Sequence, residues 1–182
     1  MLLRVVIDTS SLVSYVLTRG KLMRRVVAHW RAGAFTVLSS PATRAELAAV
    51  LARPRIRRLA VVPVDELAQG VERFTQHVPG VLSLSRVCRD ALDDKFVACA
   101  VEGKAHYLVS SDRDLLSLAS YQDVAVVNPG QFLLALELAS MEEAAMAQRF
   151  GREVLADIQA TVPLEPATRA RVAGALALLR DG

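Results

Sequence analysis

The sequence predicts an α/β fold: a central parallel sheet with helices on both faces, followed by a helical C-terminal extension. Two observations predict it. Short apolar runs at Leu3–Ile7, Phe35–Leu38, Tyr107–Val109 and Val124–Val127 are separated by helix-length segments. Strands spaced in this way need crossover connections, which leave them parallel with covered faces. Apolar residues are 53% of the chain and aromatic residues only 5%, so aliphatic Val, Leu and Ala must fill the core.

Leu3–Ile7 is predicted as the first strand. Ser10–Val16 and Leu22–Ala32 are predicted as helices on either side of a Thr18-Arg19-Gly20 break, and Phe35–Leu38 as the second strand. Ser40-Pro41 opens a helix, because Ser caps exposed N–H groups and Pro at the first position loses no intrahelical bond. That helix runs to about Ala52 and stops before Pro54, whose ring disfavours helical geometry in the residue before it. Arg55–Leu59 reads as a short helix or a loop. Asp65–His77 is predicted as a helix after Pro63, Val81–Leu84 as a strand after Pro79-Gly80, and Leu92–Glu102 as a helix closed by Gly103. Tyr107–Val109 and Val124–Val127 complete the strands, and Asn128-Pro129-Gly130 opens the helix Gln131–Leu138.

After Ser140 no strand signal remains. Met141–Ile158, rich in Ala and Glu, and Glu165–Leu179 are predicted as helices around a Thr161-Val162-Pro163 break. Residues 1–140 are therefore read as one α/β domain and 141–182 as a helical extension. The tail could pack on the core, self-associate or hold a partner, and periodicity does not choose among these.

Composition excludes several classes. No apolar run reaches the ~18 residues of a membrane span. The N-terminus carries one basic residue, Arg4, and enters a strand-like run directly, unlike a signal peptide. Cys88 and Cys99 lie in apolar contexts and read as buried thiols, so a cytoplasmic protein is expected. The net charge of +3 is mild, but Arg53, Arg55, Arg57 and Arg58 fall within six residues, and Lys21, Arg24 and Arg25 form a second group. Such clusters suit phosphate contacts, although a solvated basic face would look the same.

Four carboxylates stand out: Asp8, Glu46, Asp93 and Asp112. Asp8 ends the run Leu2-Leu3-Arg4-Val5-Val6-Ile7, and Asp112 follows Tyr107-Leu108-Val109-Ser110-Ser111. A strand that stops on an acid places it at the carboxyl edge of the sheet, where open α/β sheets bind ligands. Acids gathered there repel one another, and a cation is the simplest reason to gather them. Each has a plainer reading. Asp8 could cap the helix that follows it. Glu46 could belong to a capping box with Thr43, although Ser40-Pro41 as the true start places it inside the helix. Asp90, Asp93 and Asp94 lie near a helix start, where the dipole favours acids. Asp112 and Asp114 could form a polar turn. Asp93 shares a helical stripe with Val97 and Ala100 and is preferred over Asp90 and Asp94 as the functional member.

The chain resembles PIN-domain ribonucleases, closest to VapC-type toxins of toxin–antitoxin systems. The resemblance rests on Val5-Val6-Ile7-Asp8-Thr9-Ser10, Ser40-Pro41 with Glu46-Leu47, and Arg89-Asp90-Ala91-Leu92-Asp93-Asp94-Lys95-Phe96. It continues through His106 to Leu116 and Asn128-Pro129-Gly130-Gln131-Phe132, and so covers residues 2 to 135 in the family's order. It implies a three-layer α/β/α sandwich and an acidic pocket binding Mg²⁺ or Mn²⁺. By position, Asp8, Glu46, Asp93 and Asp112 match the acidic quartet, while Ser10 and Ser110 match two small hydroxyl residues. Asp90, Asp94 and Asp114 are auxiliary. Ala91 replaces a frequent Pro, and Ser110-Ser111 replaces a frequent Thr-Gly, and neither change removes a carboxylate. The resemblance further implies RNA as substrate, a homodimer, and an antitoxin partner covering the acids. It does not extend to the tail.

The chemistry expected of such a site is metal-assisted hydrolysis of an RNA phosphodiester. His29, His77 and His106 all lie outside the acidic motifs, which argues against zinc and against histidine general-base catalysis. Arginines with few aromatics favour single-stranded or looped RNA read through its backbone. Arg53, Arg55, Arg57 and Arg58 are the expected phosphate contacts. Two alternatives remain: a PIN-like module that binds RNA or a partner without cutting, and a haloacid-dehalogenase-like phosphatase. The latter needs a second acid two residues after the first, where Ser10 stands. A receiver domain has its acids and Lys arranged differently.

Overall fold

A computed structural model describes residues 2–179. Met1 and 180–182, the last residues of the expected extension, lie outside the described residues. Six strands form one sheet: β1 (Leu3–Ile7), β2 (Phe35–Ser39), β3 (Gln76–His77), β4 (Tyr107–Val109), β5 (Ser120–Tyr121) and β6 (Val124–Val127). Their order is β3-β2-β1-β4-β6-β5. Neighbours are parallel except β5, which pairs antiparallel with β6. The chain moves outward from β1 through β2 to β3, then returns to lay β4 on the other side of β1. The order thus reverses between β1 and β4, and the crevice beyond their carboxyl ends is the expected ligand position.

Strand alternation separates two cores. Leu3, Val5 and Ile7 of β1 join Phe35, Val37, Tyr107, Val109, Ala125 and Val127 on one face. Val6, Leu38, Leu108, Val124 and Val126 point to the other. Helices α1 (Thr9–Thr18), α2 (Lys21–Arg31), α3 (Pro41–Leu51), α5 (Val64–Phe74) and α8 (Pro129–Ser140) contribute to the first core. Helix α6 (Asp94–Glu102) covers the second with Phe96, Val97, Cys99 and Ala100, helped by Leu115 of α7 (Arg113–Ser117). Helices on both faces make three layers. Phe132 packs edge-on against Phe35 at 4.9 Å and Tyr107 at 5.7 Å, so three of the chain's few aromatics cluster at one point. Both cysteines are buried free thiols. Among the described residues, no helix is long and apolar enough to cross a membrane.

Local signals explain most boundaries. Ser40 caps α3 in a reciprocal box with Thr43, so Thr43 is the third helical residue and Glu46 lies inside the helix. Asn128 and Gln131 do the same for α8. Arg19 ends α1 in the left-handed conformation, φ 48°, with its N–H on Tyr15. The open question at Arg55–Leu59 resolves as a short helix, α4 (Pro54–Leu59).

Two expectations are corrected, and two elements appear where none was predicted. The helix predicted over Asp65–His77 ends at Phe74, because Thr75 is extended and Gln76–His77 pairs with Leu38 and Ser39 as β3. Val81–Leu84 is not a strand. Val81 is 83% exposed, and the N–H groups of Val81 and Leu82 donate to the Glu102 carboxylate at 3.1 and 3.3 Å instead of to a strand. Helix α7 and strand β5 occupy a stretch with no predicted element.

The tail forms α9 (Glu143–Thr161), kinked at Gly151 where φ is 69°, and α10 (Pro166–Leu178). Met146, Leu155, Ile158 and Val172 are buried in the same core as Tyr107 and Phe132. Tyr107, buried in β4, accepts a hydrogen bond from Glu165 N at 3.0 Å. Glu165 is itself buried and caps α10, accepting from Ala167 N at 2.8 Å and Thr168 N at 2.7 Å. At about 1.5–3 kcal/mol per fully buried aliphatic side chain, packing of the tail is a major contribution to the core.

Candidate active site

The site begins with two strands that stop on polar residues. Asp8 follows β1, its N–H bonded to Val109 O of β4, and is 2% exposed. Its Oδ1 accepts from Ser11 N at 2.9 Å, which caps α1. Its Oδ2 accepts from two hydroxyls, Ser10 Oγ at 2.6 Å and Ser110 Oγ at 2.7 Å. Burial pushes the Asp8 carboxyl above its ordinary range, and the hydrogen bonds from Ser10, Ser11 and Ser110 only partly offset it. Ser110, just past β4, ties two acids together: its Oγ donates to Asp8 and accepts from Asp112 N at 2.9 Å. Asp112 caps α7, with Oδ1 accepting from Asp114 N at 2.7 Å. Among the described residues, no protein donor bonds its Oδ2.

The Asp90–Asp94 cluster divides its work. Asp90 caps a 3₁₀ turn at Ala91–Asp93, accepting from Leu92 N at 2.9 Å. Asp94 is buried and turned away from the acids, accepting from Cys88 N at 2.7 Å and Val87 N at 3.2 Å. Burial raises its pKa, but these hydrogen bonds overcome that and leave it below the ordinary value. Asp93 is half-buried and caps no helix through its side chain. Its carboxyl is pushed up to about 6, first by burial and then by the charges of Asp112, Asp90, Glu46 and Asp8. Those charges map what it faces: all three other members of the quartet. Glu46, from inside α3, is ion-paired with Lys95 in the first turn of α6. Asp114 is paired with Arg89 at 3.5 Å.

Asp8 and Asp112 thus stand just past the carboxyl ends of β1 and β4, and Asp93 lies within electrostatic reach of both and of Glu46. All four lie in or near the N-terminal half of a helix, where the dipole favours negative charge. Arg53, Arg55, Arg57 and Arg58 are exposed on and beside α4, away from these acids. The loop after α4 bonds to Val16 O near the far end of α1, about 12 Å from Asp8 at ~1.5 Å per residue. Arg57 is paired with Asp65 at 3.0 Å.

Sequence reasoning misses Lys95, Ser11 and Ser111. Ser11 Oγ and Ser111 Oγ lie 3.0 Å apart, linking the segments after β1 and β4. For Lys95 a signal exists: a lysine in the first turn of a helix opposes the dipole, so it needs an anion to hold it there.

The donor set is all hard oxygen, which suits Mg²⁺ or Mn²⁺ and not a thiolate-seeking metal. Among the described residues, no three carboxylates stand close enough to close directly on one ion. A hydrated Mg²⁺ does not need that, since it keeps several waters and takes one or two carboxylates directly. The unrelieved repulsion at Asp93 is the observation that favours a cation here.

A three-layer α/β chain with carboxylates at its switch point defines the class. The sequence model of the PIN domain matches residues 4–114, and the chain belongs to the PIN-domain family, whose fold is generally that of nucleases. The matched span includes all four acids. No curated protein matches the chain.

Proposed function

We propose that this chain is a divalent-metal-dependent endoribonuclease that hydrolyses RNA phosphodiester bonds, acting as the toxin of a toxin–antitoxin pair. The observation that carries the nuclease reading is the crowding of acids around Asp93, whose carboxyl is lifted to about 6 by burial and by four neighbouring carboxylates. When bound, Mg²⁺ or Mn²⁺ supplies a hydroxide near neutral pH and neutralises charge on the phosphate. Asp8, Glu46, Asp93 and Asp112 are the residues that would hold it, in part through water.

Supporting residues orient this set. Ser10 and Ser110 hold Asp8 Oδ2 between two hydroxyls, so its carboxylate plane is preset. Asp94 anchors the backbone before the Asp93 turn. Asp90 sets the turn itself, and Asp114 holds Arg89 at the rim. Arg53, Arg55, Arg57 and Arg58 would contact RNA backbone beyond the cut, because they stand too far away to touch the reacting phosphate. An antitoxin covering the acids and a homodimer accompany the toxin reading, which rests on the motif resemblance.

One observation favours a second reading, a PIN-like module that binds RNA without cutting it: Glu46 is already neutralised by Lys95. The phosphatase alternative has less support, since Ser10 donates to Asp8 where a second acid would be needed.

Cleavage of single-stranded RNA by the full chain in Mn²⁺, with and without chelator, tests the proposal. Wild type should cut only with metal, and Asp8→Asn should lose at least ~100-fold while its melting temperature holds, because a buried ligand is lost and a neutral amide fits its place. RNA binding without cleavage in any divalent metal would leave the binding-module reading in its place.

A further inference from the structure

Lys95 stands in a position that general rules disfavour. It lies in the first turn of α6, where the helix dipole repels a cation. Its side chain is only 24% exposed, and Glu46 only 27%. A half-buried ion pair of this kind is a weak stabiliser, because desolvation cancels much of the attraction. Its placement is nonetheless well determined. Asp94, the preceding residue, fixes the start of α6 by accepting from Val87 N and Cys88 N. The Lys95 ammonium also lies 5.7 Å from the centroid of the Phe96 ring. Among the described residues, Lys95 is the cation paired directly with a member of the quartet.

An acidic crevice has a problem with its own substrate, since carboxylates that attract a metal also repel a phosphate. A positive group at the rim resolves it, and lysine serves phosphates as a mobile point charge. We infer that Lys95 is the substrate-phosphate ligand of this site, held on Glu46 until Glu46 takes a divalent cation. A divalent cation held by Glu46 would compete with the Lys95 ammonium for the same carboxylate. Lys95, tethered by its stem in the first turn of α6, would then have lost its Glu46 partner, and the scissile phosphate would take Glu46's place. No bond to Lys95 forms or breaks; it exchanges one anion for another.

The inference rests on the metal-site reading above, and the experiment separates the two. The full chain and its Lys95→Gln and Lys95→Arg variants are titrated with Mn²⁺ by calorimetry. Their affinity for a labelled single-stranded RNA is measured by anisotropy in Ca²⁺ and in chelator. Lys95→Gln should bind Mn²⁺ several-fold tighter, because Glu46 loses its competitor. It should bind RNA about tenfold more weakly in Ca²⁺, as expected when a charge-assisted hydrogen bond is removed, and change less than about twofold in chelator. Lys95→Arg should keep RNA affinity within about threefold. Glu46→Gln provides a second route: in chelator it frees Lys95 and should tighten RNA binding, and the double variant with Lys95→Gln should cancel that gain. A gain that survives in the double variant is simple charge removal and overturns the inference. So does an RNA affinity of Lys95→Gln that falls equally with and without Ca²⁺, or not at all. If wild type binds Mn²⁺ and Lys95→Gln binds it no tighter, this inference alone fails. If wild type binds none, the metal-site reading fails with it.

Discussion

Asp93→Asn and Asp94→Asn change adjacent carboxylates to the same amide, and the structure assigns them opposite effects. Asp93 ionises only near pH 6, against about 3.8 for an ordinary Asp, because burial and the charges of Asp112, Asp90, Glu46 and Asp8 oppose it. A carboxyl whose folded pKa is raised binds its proton more tightly in the folded state. Its ionisation therefore costs stability: nothing below about 3.8, increasingly between there and about 6, and fully above 6. Two pKa units correspond to about 3 kcal/mol, and solvent screening of a half-exposed group reduces that to roughly 1–2 kcal/mol. Asp93→Asn removes this cost. At pH 8 in chelator it should melt above wild type by ~2–8 °C for a chain of this length. At pH 4 the two should coincide. Asp94→Asn should do the reverse. The Asp94 pKa is lowered by backbone donors despite burial, so its stabilisation is present above the ordinary carboxylate range and fades as pH falls. Weakening charge-assisted bonds from Cys88 N and Val87 N should cost about 2–3 kcal/mol at pH 8. Adding Mg²⁺ should raise the melting temperature of wild type and of Asp94→Asn, and raise that of Asp93→Asn much less. Thermal melts at the two pH values, with and without Mg²⁺, provide the readout. An Asp93→Asn variant less stable than wild type at pH 8 in chelator would refute the electrostatic argument and the preference for Asp93 over Asp94.

Two further outcomes follow from surface charge and from the tail. Replacing Arg53, Arg55, Arg57 and Arg58 together with Ala should weaken RNA binding and flatten its salt dependence, by about 0.7 in log–log slope for each phosphate no longer neutralised. An unchanged slope in anisotropy titrations would make them a solvated face. Glu165→Ala should lower stability by about 2 kcal/mol, because it strips two cap bonds and a bond from Thr168 Oγ1 at 2.6 Å in a buried setting. Denaturant unfolding measures this, and a loss under ~0.5 kcal/mol would mean that the tail's docking does not depend on its cap.

Local chemistry made much of this molecule legible. Strands β4 and β6 are apolar runs buried on both faces, β1 and β2 are interrupted only by Arg4 and by Thr36 and Ser39, and a largely apolar run of that length has few other homes. Ser40-Pro41 and Asn128-Pro129 carry their caps in the sequence. Strand β3 could not be seen, since Gln76 and His77 are exposed and their pairing depends on a sheet edge formed by distant residues. The stretch after Gly80 misled for a related reason. Val81 looks like a strand residue, but Glu102, on another element, supplies the acceptors that a neighbouring strand would have supplied.

For the site, the sequence by itself determined which acids exist and that two of them end strands. Strand ends are local, and an acid after a buried run has only the sheet edge to occupy. Tertiary structure alone decided how the remaining acids are used. Asp93 stands among the charges of the quartet and Asp94 accepts from the backbone of Val87 and Cys88; the helical stripe already preferred Asp93, but the donors that occupy Asp94 lie on the preceding loop and emerge only from the fold. Lys95 meets Glu46 across a separation of forty-nine residues. The four arginines, expected to contact phosphate, stand toward the other end of α1 from the acids. Charge acts through space, and which charges share that space depends on where the chain reverses its strand order.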